Sequence, residues 1–469
     1  MSFSRRRFLE IAGLSGGAVA LRSILSPQLA LGSPDNPQLL LACYLGGGSD
    51  QLLSFDPRDA SLAKFQGPAA YAAGGTGIHP AYDLVADARV KAVLAATAGS
   101  GLQKKGALTF GPAMPASLMS HGADLAVLRG VYMGTLTHEV GRRYFTTGKF
   151  PRGLSAAGSS LGTAVAAADG KDALIPNLAI SAETYNETFP SYASGIGVNS
   201  FDDVLSLLKP LGTALPMGSD MSVAAYEATI DDCTQRELNG GGLVDTFKQS
   251  RLKARTMVSA SASTLFNFKV PVPPALDDLF ATLGIGKAAD FQGPKGNAAI
   301  AAQALTQGIS QSVSLQLAGD LDDHNDWGDT HATGVANALD AIGNLITYLK
   351  KTPYKGGATM TWEHTTLLVF SEFARTPLLN GRAGRDHHLA SSCLVAGPGI
   401  KGNQIFGATS DNAMVVRNVD PATGKPDDAA GIQLRPADIH ATLLHSMGLS
   451  YDHLSNQSPQ MLSALLVKP

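Results

Sequence analysis

Cysteine is scarce in this 469-residue chain: Cys43, Cys233 and Cys393 are the whole complement, far apart and without a Cys-x-x-Cys pair. At most one disulfide could form, which excludes a disulfide scaffold. Cys43 and Cys393 stand in strand-like apolar runs, where buried, inert thiols are expected. Charge of one sign is lacking too. The formal net charge is -3 and no long basic block occurs, so nucleic acid has no electrostatic case as a partner. After residue 32 no segment has the unbroken apolar length of a membrane span, and the mature protein is expected to have none. No Gly-x-Gly-x-x-Gly unit opens a helix after the first strand-like run, which removes the usual mark of a dinucleotide-dependent oxidoreductase.

What is present begins at the N-terminus. Arg5-Arg6-Arg7-Phe8-Leu9 precedes a short apolar run, Ile11 to Leu25, broken by glycines, and Ala30-Leu31-Gly32 follows. Positive residues, an apolar segment and a small-x-small site in that order read as an export signal. The arginine pair with Phe-Leu fits the twin-arginine type. Residues 1–32 are therefore expected to be a signal peptide and 33–469 a periplasmic or secreted domain. The twin-arginine export machinery is then one partner, and it passes its cargo folded.

Continuous apolar runs mark strands covered on both faces, as in parallel sheets. Leu39 to Leu45, Leu125 to Val131, Asn177 to Ile180, Val313 to Leu317, Thr365 to Phe370 and Ser392 to Ala396 are such runs. Between them lie helical patterns, the clearest from Gly334 to Lys351 with Val335, Leu339, Ile342, Ile346 and Leu349 on one face. Strands alternating with helices predict an α/β fold with a doubly wound sheet, its site at the carboxyl ends of the strands. A stretch of about 185–297, with helical spacing and the Pro-rich run Val270 to Pro274, is expected to be a helical insertion.

Polar residues collect just past those strand ends. Asp50 follows the Gly46-Gly47-Gly48 turn; Asp320, Asp322, Asp323, His324, Asp326, Asp329 and His331 crowd the segment after Leu317. Glu372 follows Phe370 closely, and Arg385-Asp386-His387-His388 precedes the next run. Carboxylates and imidazoles from several strand ends can surround one or two divalent ions of the zinc, manganese or iron kind, with calcium also open. Thr135 to Gly148 looks like a helix from a Thr start to a Thr-Gly stop. Its N-terminal turn could hold an anion with help from Arg142, or Thr137 could simply cap it.

These segments, in order, resemble the domain of unknown function 1501 family, exported proteins within the alkaline phosphatase and sulfatase superfamily. Gly46-Gly47-Gly48-Ser49-Asp50 with Phe55-Asp56-Pro57, Gly319 to Asn325, Glu372-Phe373-Ala374-Arg375-Thr376-Pro377, Gly384-Arg385-Asp386-His387 and Asp438 to His445 carry the resemblance. It implies an alkaline-phosphatase-like, mostly parallel central sheet flanked by helices, with a hydrolytic metal site. Carried over by position, Asp50, Asp322, His324, Glu372, Asp386 and His387 become metal ligands. His138 takes the place of the superfamily's nucleophile, with Thr137 one residue away, and Arg142 that of an anion-binding arginine. The function implied is an exported, metal-dependent hydrolase acting on an anionic phosphate or sulfate ester. The alternative is a catalytically silent binding or assembly protein of the periplasm or cell surface.

Overall fold

The computed structural model describes residues 37–72, 74–208, 229 and 262–467. The signal-peptide expectation, Cys233 and much of the expected insertion therefore lie outside the described residues. Eight strands form one sheet: β1 (Leu39–Leu45), β2 (Ala126–Tyr132), β3 (Asn177–Ile180), β4 (Ile196–Val198), β5 (Ser312–Ala318), β6 (Thr365–Phe370), β7 (Ala390–Ala396) and β8 (Gln404–Gly407). Their spatial order is β8-β2-β7-β6-β1-β5-β3-β4. β7 runs antiparallel to both neighbours, and every other pairing is parallel. The sheet is thus mostly parallel, as the run-and-helix alternation of the sequence requires.

Alternation along β1 shows how the layers are built. Leu39, Leu41, Cys43 and Leu45 enter one core, shared with α3 (Gly293–Thr306) and α4 (Trp327–Lys351). Leu40, Ala42 and Tyr44 enter the other, with α1 (His138–Thr147), α2 (Leu161–Asp169) and α5 (Pro436–Ser446). A strand between two helical layers has no wet face, so its seven side chains are all buried. Burial pushes the thiols of Cys43 and Cys393 well above their ordinary range. In α4, Val335, Leu339, Ile342, Ile346 and Leu349 are fully buried at the four-three spacing of a helix face. The helix starts seven residues before the expected Gly334, at Trp327. Asp329 and His331 consequently lie in its first turns and not in a loop. Within the stretch of about 185–297, β4 extends the sheet edge beside β3, and helices span Phe201–Leu208 and Asp277–Leu283. Among the described residues no helix is long and apolar enough to cross a membrane.

His440, on α5, is enclosed in the second core, and burial, aided by the charge of His453, pushes its pKa down to about 3. The folded chain refuses a proton that the unfolded chain accepts below the ordinary value of 6.5. Stability is therefore full above that value and is lost as pH falls from it toward about 3, by a few kcal/mol at about 1.4 per unit. His440→Leu should flatten this acid limb in urea titrations between pH 6.5 and 4; an unchanged limb would show that other groups set it.

Candidate metal centre

Register brings the site together. Tyr44 on β1 pairs with Phe370 on β6, and Leu45 with Ala318 on β5, so three parallel strands end at one edge. β7 runs the other way, and Ala390 at its start pairs with Tyr132 at the end of β2. The residues just before β7 and just after β2 hence reach the same edge. Gly47 makes the first turn possible: its φ of +105° suits glycine, and a Cβ there would stand 2.4 Å from the Leu321 nitrogen. Gly384 plays the same part for the later loop, where a Cβ would meet the His324 carbonyl carbon at 2.0 Å.

Four side chains converge there. Oδ1 of Asp322 lies 3.3 Å from Nε2 of His138, 3.1 Å from Nε2 of His324 and 3.3 Å from Nε2 of His387. The His324 and His387 Nε2 atoms are 3.0 Å apart. Each ring is anchored from behind through Nδ1. His138 donates to Glu372 Oε1 at 2.8 Å, His324 to Asp386 Oδ1 at 2.7 Å, and His387 to the Leu136 carbonyl at 2.6 Å. An acceptor at Nδ1 fixes the proton there and leaves Nε2 as a lone pair. Three lone pairs and a carboxylate oxygen thus face one point, and the buried Nε2 of His138 makes no hydrogen bond. Ligating histidines with their outer nitrogens held by carboxylate or carbonyl have this arrangement, and the donor set fits a metal ion. His138, Asp322 and His387 bring their ligand atoms within 4.8 Å of one another.

Arg375 supplies the charge beside the carboxylate. Its side chain is fully buried; Nε donates to the Gly48 carbonyl at 3.1 Å, Nη1 to the Arg385 carbonyl at 3.0 Å, and Nη2 to Gly47 and to Asp322 Oδ1. Burial would raise the Asp322 carboxyl, but the Arg375 guanidinium outweighs it and holds it at about 2. Glu372 is likewise below its usual range, because the His138 ring and the Gly47 amide offset its burial. The Glu372 bond raises His138. Burial lowers His387, as does the Arg375 charge, which favours the neutral ring a ligand must be.

The residues singled out in the sequence take distinct places. Asp322, His324 and His387 meet at the centre, and His138, expected at the nucleophile's position, joins them. Glu372 and Asp386 stand behind the imidazoles. Asp50 is engaged elsewhere: it is 1% exposed, Oδ2 lies 3.0 Å from Arg385 Nε, and Oδ1 accepts from the Leu52 amide. His331 is taken up by Asp323 at 2.7 Å and by the Asp50 amide at 3.1 Å. Thr137 is exposed at the N-cap of α1, and its hydroxyl makes no capping bond. Arg142 donates to Glu183 at 2.7 Å, so its charge already has an anion. Arg375 and Arg385 had no role in the sequence reading; the Glu-Phe-Ala-Arg and Gly-Arg-Asp-His segments that contain them were the available signal.

Glu372 can be tested without touching the converging atoms. Glu372→Gln should weaken metal affinity by about 10–100-fold, the usual cost of removing an outer partner of a ligand histidine. Competition against a chromophoric chelator measures it, and an unchanged affinity would remove Glu372 from the centre.

Solved structures with distant overall likeness exist. Ps i-CgsB in complex with k-i-k-neocarrahexaose aligns at TM-score 0.36 and 10% identity, covering 92% of this chain and 75% of that one. A mutant TAB5 alkaline phosphatase with Mg bound aligns at TM-score 0.31 and 11% identity, covering 88% and 99%. BT4656 in complex with its substrate D-glucosamine-2-N,6-O-disulfate aligns at TM-score 0.31 and 10% identity, covering 88% and 77%. No curated protein matches the sequence. Residues 38–462 match the family described as "Protein of unknown function (DUF1501)", nearly the full described length, and the chain belongs to that family.

Proposed function

We propose that this protein is an exported, metal-dependent hydrolase of phosphate or sulfate esters, with one ion held by His138, Asp322, His324 and His387. The observation that carries the reading is the set of three imidazoles, each anchored at Nδ1, whose Nε2 atoms converge on one carboxylate oxygen. Three nitrogens and one oxygen suit zinc, manganese or iron, whereas calcium prefers six to eight oxygens. Export rests on the arginine pair and apolar run of residues 5–25.

When bound, such an ion supplies Lewis acidity to an ester oxygen. The protein's own groups do the rest. Asp322 and the three histidines fix the ion's place, and Glu372, Asp386 and the Leu136 carbonyl fix the rings. Arg375 keeps Asp322 ionised and fixes its Oδ1 in place. As a ligand, His138 is not the nucleophile; Thr137, next to it with a free hydroxyl, positions or supplies the attacking oxygen.

Two variants test this. His138→Ala should lose both metal and turnover of 4-nitrophenyl phosphate and 4-nitrophenyl sulfate. Thr137→Ala should keep the metal, read by mass spectrometry, and lose turnover. Full turnover in metal-stripped protein would overturn the proposal.

A further inference from the structure

Among the described residues nine large hydrophobic side chains are exposed, and four of them fall in the two stretches of chain that carry His138 and His387, residues 133–154 and 387–389. These are Leu136 (47% exposed), Phe150 (47%), Leu154 (63%) and Leu389 (37%). Single exposed apolar residues are ordinary, but a group of them around a polar site is not. Leu136 and Leu389 lie on the segments that hold His387, and Phe150 and Leu154 contact α1, which begins with His138. The Leu136 carbonyl holds His387, and the Leu389 carbonyl accepts from Met133, three residues before Leu136. Phe150 packs edge-on against Tyr144 of α1 at 5.2 Å and comes within 3.5 Å of the Cβ position of Gly134. The Leu154 carbonyl accepts from Arg143, also on α1. Neither Met133 to Thr137 nor Leu389 to Ser391 contains a charged residue. With an ion held by its four side chains, the centre would offer an electrophilic point to an anionic head.

A polar centre with exposed apolar side chains on the chain segments beside it is complementary to a molecule with an anionic head and an apolar tail. We propose that the site takes small amphiphiles, phosphate or sulfate esters of alkyl or aryl alcohols, with the head at the metal centre and the tail on the Leu136, Phe150 and Leu389 rim. This rests on the metal reading of the site. The occupant is a free molecule with a single tail: three side chains make a rim and not an extended face.

The test uses full-length protein loaded with zinc and titrated calorimetrically with methyl-, butyl- and octylphosphonate, which mimic the head but do not turn over. A methylene fully covered by the rim gains about fourfold in affinity. Partial cover should still give about tenfold or more from methyl to octyl. The double variant Leu389→Ser with Phe150→Ser should flatten that series, whereas Val467→Ser, an exposed apolar residue elsewhere on the chain, should not. Zinc content measured on each preparation tells a collapsed centre from a lost tail contact. Uptake of zinc with equal affinity for all three phosphonates would overturn this inference alone, and no uptake of zinc would overturn the metal reading with it. A dimer in sedimentation that the double variant dissociates would also overturn it, assigning the rim to a second copy of the chain.

Discussion

Asp322→Ala is expected to release the ion, with affinity for zinc falling by more than the about 100-fold upper cost of losing an outer partner. Asp322 is the shared oxygen of the centre: three imidazoles and a guanidinium face Oδ1 within 3.3 Å. Without it, three rings remain, along with a fully buried Arg375 whose charge has lost its anion. The same guanidinium that keeps Asp322 ionised then repels an incoming cation. Asp322→Asn should behave nearly as badly, because the amide keeps the shape but not the charge. Chelator competition on both variants is the measurement. An affinity within tenfold of the parent would mean that the ion, if bound, is held elsewhere.

The second large effect concerns stability. Arg385 and Asp50 form an ion pair at 3.0 Å with side chains 0% and 1% exposed. Arg385 also donates to the carbonyls of Thr376, His79 and Pro80, and its guanidinium lies 4.4 Å from the Trp327 ring centroid. Its own carbonyl receives Arg375. One side chain therefore joins four segments of chain behind the metal centre. Removing one partner of a buried pair leaves a bare buried charge and costs about 3–5 kcal/mol. Arg385→Met and Asp50→Asn should each lower the unfolding free energy from urea titration by that much. Arg385→Lys should not rescue it, since an ammonium cannot span the carbonyls that the planar fork reaches. Unfolding free energies within about 0.5 kcal/mol of the parent would contradict this.

The sequence made the sheet readable because most of its strands are runs dominated by apolar residues, and Leu39 to Leu45 needs no partner to be recognised. It hid the reversal of β7, since the run Ala390 to Ala396 is as apolar as its parallel neighbours and direction leaves no trace in composition. The early start of α4 was hidden by Trp327 to Gly334, where Gly, Asp, Thr and His interrupt the apolar spacing. At the site, strand ends pointed to the loops whose side chains meet at the sheet edge. Which side chains converge and which stand behind was not legible, because that depends on side-chain direction. Glu372 turns back to accept from the Gly47 amide and the His138 ring at 2.8 Å each, a consequence of the left-handed turn at Gly47. Arg375 and Arg385 were invisible for another reason: arginine is normally exposed, and only the folded chain shows both fully buried.

The central claim is that three imidazoles and one carboxylate hold a metal ion at the sheet edge. X-ray absorption at the zinc edge of the zinc-loaded, full-length protein tests it most directly. The expected result is one tightly held ion in a shell of nitrogen and oxygen at about 2.0–2.2 Å, the four protein ligands plus one exchangeable oxygen, with multiple-scattering features of about three imidazoles. Those features should weaken in His138→Ala. A shell of oxygens alone, or a spectrum of hydrated zinc, would contradict the centre and the hydrolase built on it.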